Sequence, residues 1–339
     1  KPEGGYEIKS IEKVLDADPI FGDDLLDLAK WVSGMYICSL GEALSVMIPG
    51  ARTESRLGTE IGSFGDPEER LALSKDQETA LQRVLSIRDG LHYLYGITGS
   101  GKTEVFLRIA EKTLAEGRSV IYLVPEIALT HQLIGGLEGR FGSALAIIHS
   151  KLTPSQKLTE WRRIISGDAR FVVGARSAVF APVANLGLLI IDEEHEGSYK
   201  SGSTPRYHAR QVAMRRRSAN GARLIMGSAT PSVEAYYLMG QGIITRHDLS
   251  ERLSGGAMPD MQVVDMKSEK GALSRPLIEG IRDTVREGRQ VILFLNRRGF
   301  SYFFHCRSCG FEMKCRHCAV SLTYHKSRGR LICHYCGYS

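Results

Sequence analysis

Residues 96–103 read GITGSGKT, a match to G-x-x-x-x-G-K-[ST] at every position. The run before it, Leu91-His92-Tyr93-Leu94-Tyr95, is short and mostly apolar, as a buried strand would be. After it, Glu104–Ala110 carries apolar residues at helical spacing. Strand, glycine loop and helix is the setting in which this pattern cradles phosphates. Gly96, Gly99 and Gly101 free the backbone to bend until its N–H groups converge, and the helix N-terminus beyond them adds partial positive charge. Lys102 is placed to reach the β- and γ-phosphates, and the Thr103 hydroxyl to hold a magnesium ion. The stretch implies a nucleoside triphosphate site lined by Gly96, Thr98, Gly99, Ser100, Gly101, Lys102 and Thr103.

Outward from this loop the chain reads as α/β. Apolar, β-rich runs recur at 91–95, 119–124, 144–148, 171–174, 187–191 and 223–226, with helix-like or irregular stretches between them. Such alternation predicts a mostly parallel sheet covered on both faces. Another strand is expected at Gln290–Leu295. Ahead of the α/β region, 23–48 reads as a small helical module in which Leu25, Leu26, Leu28, Ala29 and Val32 keep helical spacing. The polar, glycine-rich stretch 51–70 reads as a linker, and residues 241–275 carry no interpretable motif.

Leu186–His195 reads LGLLIIDEEH, an apolar strand ending in acids. Ligands of open α/β sheets bind outside the carboxyl ends of the strands, so Asp192 is expected to complete the magnesium shell begun by Thr103. Glu193, one residue on, is the candidate general base for an attacking water. Acids after a strand otherwise serve as helix N-cap charges; their place downstream of a phosphate loop favours chemistry. Next come Tyr199, Lys200, Arg206, Tyr207, His208 and Arg210, with Gly197, Gly202 and Pro205 preventing a regular helix. Rings can stack on unpaired bases while cations follow the phosphates, although a surface loop with tyrosines packed on the core has the same composition.

Six of the seven cysteines lie at or beyond Cys306, in the pattern C-x2-C-x5-C-x2-C-x14-C-x2-C. Each C-x2-C pair can present two thiolates to one tetrahedral zinc. The spacing favours Cys315, Cys318, Cys333 and Cys336 as one site, because the long interval leaves room for a returning ribbon. That leaves Cys306 and Cys309 as one pair over.

The order of phosphate loop, DEEH (Asp192–His195) and GSATPS (Gly227–Ser232) resembles the superfamily 2 helicases. VPEIALTHQ (Val124–Gln132), GARSAVFAP (Gly174–Pro182), RYHAR (Arg206–Arg210) and LNRRGF (Leu295–Phe300) narrow the resemblance to the PriA family of bacterial primosomal helicases. The resemblance implies an ATP-dependent, 3′-to-5′ DNA helicase that restarts stalled replication forks. Lys102, Asp192, Glu193 and His195 would then be catalytic, with Ser228 and Thr230 coupling hydrolysis to strand movement through His195. Gln77 would recognise adenine, and Thr130, Arg176 and Ser177 would join Tyr199, Lys200, Arg206, Tyr207 and Arg210 on the DNA. It also implies a winged-helix-like DNA-binding remnant at 1–60, a linker at 61–70, a RecA-like first lobe at 71–240 and the start of a second lobe at 241–305. An incomplete zinc module, bearing the six late cysteines, would occupy 306–339; without the family's further cysteine pair, Cys306 and Cys309 would be half of a second zinc site unless His305, His317 or a neighbouring molecule completes it. Expected cofactors are ATP, Mg2+ and Zn2+. Expected partners are single-stranded and forked DNA, primosome proteins and single-stranded DNA-binding protein, with the chain a monomer. Whether Arg297 or Arg298 reaches nucleotide or DNA stays open. No Q-x-x-G-R-x-G-R segment of a second lobe is found, and the fragment is expected to bind nucleotide but hydrolyse it poorly. Two other readings fit parts of the pattern: a translocase that moves without unwinding, and a binding scaffold with a vestigial ATPase.

Composition is compatible with this. The chain has 339 residues, 43% hydrophobic and 24% charged, enough for two or three domains with sizeable cores. A net charge of +6 suits a polyanionic partner without demonstrating one. The run Arg215-Arg216-Arg217 reads first as a solvated helix face. No uncharged apolar run is long enough for a membrane helix and no secretory signal is present, so a cytoplasmic location is expected. The start at Lys1 and the stop just after a C-x2-C pair suggest a piece of a longer protein.

Overall fold

The computed structural model describes residues 19–50, 72–150, 152–253, 255, 260–269, 271, 273–294, 313–317, 322–325, 329–333 and 336–339. They fall in two compact units, divided after Ala257.

In the first unit, α1 (Asp23–Tyr36) and α2 (Leu40–Ser45) precede the sheet, and a capping box of Ser39 and Glu42 starts α2. Then α3 (Lys75–Ser86), begun by a capping box of Ser74 and Gln77, leads into β1 (Leu91–Gly96) and α4 (Lys102–Ala115). The chain continues through β2 (Ser119–Leu123), α5 (His131–Phe141), β3 (Leu145–Ile148), α6 (Pro154–Ile165) and β4 (Phe171–Gly174). It finishes with β5 (Leu186–Asp192), α7 (Ala209–Asn220), β6 (Arg223–Ser228), α8 (Val233–Gly240) and β7 (Thr245–Leu249). The seven strands form one parallel sheet in the order β3-β4-β2-β5-β6-β1-β7. Because successive strand side chains point to opposite faces, each strand feeds two cores. Leu189 and Ile191 of β5, with Tyr93 and Ile121, pack on the side of α1, α2, α6 and α7. Leu188 and Ile190, with Leu94 and Val120, pack on the side of α3, α4 and α5. Leu25, Leu28, Ala29 and Val32 of α1 belong to the first of these cores, and the indole of Trp161 donates to the Ile20 carbonyl at 2.8 Å.

Two features depart from the sequence expectations. The sheet runs past residue 240, because β7 pairs in parallel with β1 at its edge. In the second unit, α9 (Arg275–Arg286) forms behind the Ser274 cap, but residues 290–294 are not a strand. A strand is stable only against a neighbour; Ile292 and Phe294 stand 92% and 87% exposed, with no ladder among the described residues. Further on, β8 (Thr323–His325) and β9 (Arg330–Ile332) make a short antiparallel ribbon.

Candidate active site and metal centre

The order of the sheet assembles the site. β1 carries the glycine loop at its carboxyl end, and β6 lies between it and β5. The register sets Tyr95 beside Ser228 and Asp192 beside Gly227. Three motifs distant in sequence therefore meet at one edge of the sheet.

Gly99 and Gly101 hold φ of 81° and 72°, a left-handed conformation that glycine adopts without steric cost. A Cβ on Gly101 would also lie 2.3 Å from Gln77 Nε2. That amide donates to the Ser100 and Gly101 carbonyls at 3.1 and 3.3 Å, while Gln77 Oε1 accepts from Ser74 N at 2.7 Å. Gln77, read from the resemblance as an adenine contact, is here a strut under the glycine loop. Lys102 is buried at the start of α4 and donates from Nζ to the Gly96 carbonyl at 2.8 Å. The Ser100 hydroxyl is buried with no hydrogen-bond partner among the described residues, and Thr98 is exposed.

At the end of β5, Asp192 Oδ2 accepts from the Tyr122 hydroxyl at 3.0 Å and Oδ1 from Glu193 N at 2.9 Å. Thr103 interacts with the same Tyr122 hydroxyl, so the two expected magnesium ligands share a neighbour. Burial pushes the Asp192 carboxyl above the usual range, Tyr122 opposes this with its hydrogen bond, and the Glu193 charge pushes further upward. Glu193 sits at φ 44°, the bend that turns the chain off the strand. Its Oε2 accepts from Ser228 Oγ at 3.0 Å. Ser228 Oγ in turn accepts from Thr230 N at 3.0 Å and lies 2.7 Å from His195 Nδ1. A hydroxyl has one proton; with that proton on Glu193, the proton between Ser228 and His195 belongs to Nδ1. Glu193, His195 and the Ser-Ala-Thr segment are thus one hydrogen-bonded group.

Sequence reasoning missed Glu194. Its side chain is wholly buried and takes hydrogen bonds from Tyr93 Oη at 3.2 Å, Ser232 Oγ at 2.8 Å and Ser232 N at 3.2 Å, beside an ion pair with Arg210. Arg210 also donates to Ser232 Oγ at 2.8 Å. The expectation that Arg210 faces DNA is therefore corrected: its charge neutralises a buried carboxylate. No spacing in the sequence signals this pair, since both residues sit in motifs that have other uses.

The stacking role expected of Tyr199 and Tyr207 is also corrected. They are 1% and 2% exposed and offer no free ring face. The Tyr199 hydroxyl lies 2.6 Å from the Asp192 carbonyl, and Tyr207 meets Phe180 edge to face at 4.9 Å. Arg176 lies over the Tyr207 ring and donates to the Ser198 and Lys200 carbonyls at 3.0 and 2.6 Å, clamping the loop from outside. Apolar contact wins over display because the loop returns across the first core. Thr130, Ser177, Lys200 and Arg206 are exposed.

In the second unit, the Sγ atoms of Cys315, Cys333 and Cys336 all lie within 4.8 Å of one another. Cys315 and Cys333 are buried, Cys315 and Cys336 are 3.6 Å apart, and His317 N donates to Cys315 Sγ at 3.4 Å. Three convergent thiols, one with a backbone N–H on its sulfur, are donors of the kind that a four-coordinate structural zinc takes. Cys306, Cys309, Cys318 and His305 lie outside the described residues.

Comparison with known proteins agrees with this geometry. Residues 74–238 match the family model described as DEAD/DEAH box helicase, 1–49 the 3'DNA-binding domain of PriA, and 315–339 the PriA DNA helicase Cys-rich region domain. Across 331 residues the chain is 50% identical to the Replication restart protein PriA of Treponema pallidum (strain Nichols), covering 97% of this chain. The chain belongs to the PriA family. The PriA of Bacillus subtilis (strain 168) is 44% identical over 279 residues, 80% of this chain. The chain spans 50% and 35% of the lengths of these two PriA proteins. The PriA Cys-rich match covers all three converging thiols, which supports zinc as their ligand. No described helix is long and apolar enough to cross a membrane.

Proposed function

We propose that this chain is the motor portion of an ATP-driven, 3′-to-5′ DNA helicase that acts in replication restart. The observation that carries the reading is the hydrogen-bonded group of Glu193, Ser228 and His195 at the same sheet edge as Lys102 and Asp192. Bound ATP and magnesium would supply the phosphoryl chemistry. Lys102 would leave the Gly96 carbonyl for the β- and γ-phosphates, and Thr103 and Asp192 would hold the metal. Gly96, Thr98, Gly99, Ser100 and Gly101 would turn their backbone N–H groups on the phosphates. Glu193 Oε2 would take the proton of the attacking water, which breaks its bond to Ser228 and releases the Ser-Ala-Thr segment. Thr130, Ser177, Lys200 and Arg206 would hold single-stranded DNA by its phosphates, which fixes position without reading sequence.

On this reading residues 1–60 form a DNA-binding region, the first RecA-like lobe runs from 71 through β7, the start of a second lobe follows it up to 305, and 306–339 is a zinc module. Cys315, Cys318, Cys333 and Cys336 hold one zinc, and Cys306 and Cys309 contribute to a second. Forked DNA, primosome proteins and single-stranded DNA-binding protein are the partners, and the chain is a cytoplasmic monomer. ATP hydrolysis by this chain and by a full-length relative, each with and without forked DNA, tests the proposal. Turnover stimulated by DNA in the full-length protein, and weak turnover here, is expected. Stimulated turnover without strand displacement would leave a translocase. DNA binding without turnover by either protein would reduce the chain to a scaffold.

A further inference from the structure

A second charged site lies at the opposite end of the sheet. A cleft of about 470 Å3 is lined by Arg88, Arg118 and Arg223 together with Glu116, Asn185, Ser86 and Leu85. Arg118 immediately precedes β2, Asn185 precedes β5 and Arg223 opens β6, so in this parallel sheet all three stand at amino ends, away from the glycine loop. Arg118 and Arg223 are 8% and 4% exposed. Each is held by backbone carbonyls: Arg118 Nη2 donates to Leu186 O at 2.7 Å and Gly221 O at 3.1 Å, and Arg223 Nε donates to Ile87 O at 2.9 Å. Arg223 Nη2 also donates to Leu85 O at 3.2 Å, and on neither side chain does Nη1 make any of these bonds. Nη1 of Arg118 and Nη1 of Arg223 are buried with no hydrogen-bond partner among the described residues. The nearest carboxylate, Glu116, stands 3.6 Å from Arg223 Nη1, an ion-pair distance but too long for a hydrogen bond.

The placement of Arg118 is built into the backbone. A Cβ at Gly187 would come within 2.6 Å of Arg118 Cβ and 3.1 Å of its Nε, so only glycine lets the side chain cross there. Burial and the neighbouring charges of Arg88 and Arg223 hold the Arg118 pKa below its ordinary value, with Glu116 opposing them. Three cations face one anion, and two buried guanidinium donors lack acceptors. Buried donors are as a rule satisfied, and guanidinium forks match tetrahedral oxyanions.

We infer that this cleft binds a phosphoryl dianion, with Arg88, Arg118 and Arg223 as its ligands. The group is either free phosphate or the phosphate of a mononucleotide, and the cleft is independent of the ATP site. Titration calorimetry on the whole chain tests this in a Lys102→Ala background, which removes the glycine loop as a competing phosphate site. Inorganic phosphate, pyrophosphate and a 5′-mononucleotide are the three probes. Saturable binding is expected, weakened about tenfold by Arg88→Ala, the loss of one charge-assisted contact. Glu116→Gln, which removes the competing carboxylate, is expected to tighten it. Arg88 and Glu116 are both exposed, so neither variant disturbs the core. Mononucleotide binding much tighter than that of phosphate identifies the nucleotide as the source, and equal affinity identifies the free ion. Absence of saturable binding by all three probes, or binding indifferent to both variants, overturns the proposal.

Discussion

Glu194 shows how a single side chain can be committed to structure inside the stretch Asp192–His195. Its carboxylate is wholly buried, with Arg210, Tyr93 and Ser232 around it. Removing one partner of such a pair leaves the other buried and uncompensated, which costs about 3–5 kcal/mol. Arg210→Ala is accordingly expected to lower unfolding stability by that order in urea melts. Glu193 behaves differently because it is a partly exposed group bonded to the Ser228 hydroxyl. Glu193→Gln is expected to keep nucleotide affinity and cut hydrolysis by at least about 100-fold, the contribution of a general base. A Kd for nucleotide weakened in step with the rate would remove that role. The arginine run makes the same point about context. Arg216 is fully buried and donates to the Val179 and Ala181 carbonyls at 2.7 and 2.9 Å, Arg217 donates to Asp89 O, and Arg215 is exposed. Three identical neighbours have three fates, because helical geometry turns each about 100° from the last.

At the scale of elements, β7 explains why one edge of the sheet was illegible. Its sequence, TRHDL, buries only His247 and Leu249, so neither composition nor an apolar run marks it as a strand. What holds it is pairing with β1, where His92 Nδ1 lies 3.1 Å from His247 Nε2. Burial depresses the His92 pKa from 6.5 to about 4, with His247, Arg223 and Arg217 adding to the effect, and His247 is depressed as well, chiefly by burial. The folded protein therefore keeps the pair neutral while the unfolded chain protonates near pH 6.5. The stability this confers is complete above that pH and is lost as pH falls toward 4. At about 1.4 kcal/mol per pKa unit, the His92 share is of order 3 kcal/mol. Thermal melts between pH 7 and pH 4 should show the decline, and His92→Gln should flatten it; an unchanged slope would mean that other groups carry the acid sensitivity.

At the scale of the whole chain, two units draw on different sources of stability. The first has two apolar cores, one on each face of a seven-stranded sheet. Among the described residues, the ribbon of β8 and β9 in the second has a small cluster of Cys315, Leu322 and Cys333 with Leu331 and Tyr338 against it, the setting in which small modules draw stability from a bound metal. Metal is expected to supply the difference. Treating the protein with a strong zinc chelator should release zinc, measurable by elemental analysis, and abolish amide protection in β8 and β9 while leaving that of β1, β5 and β6 unchanged. Retention of ribbon protection after complete metal removal would show that the thiols are not a folding site.

The motif order, the α/β alternation and the C-x2-C spacing were readable from residues alone, because phosphate loops, parallel strands and thiolate knuckles each impose a local pattern. Lys102 and Asp192 share one end of the sheet, where Glu193 and His195 meet Ser228. Only the tertiary structure decided which polar and aromatic side chains remained available. Tyr199 and Tyr207 went into the core, Gln77 under the glycine loop, Arg210 onto Glu194, and the arginines of the amino-end cleft together from separate elements. The physical reason is that burial and charge pairing are settled between segments distant in sequence. A local pattern records what a side chain is capable of, and its neighbours in space determine which of those capacities is used.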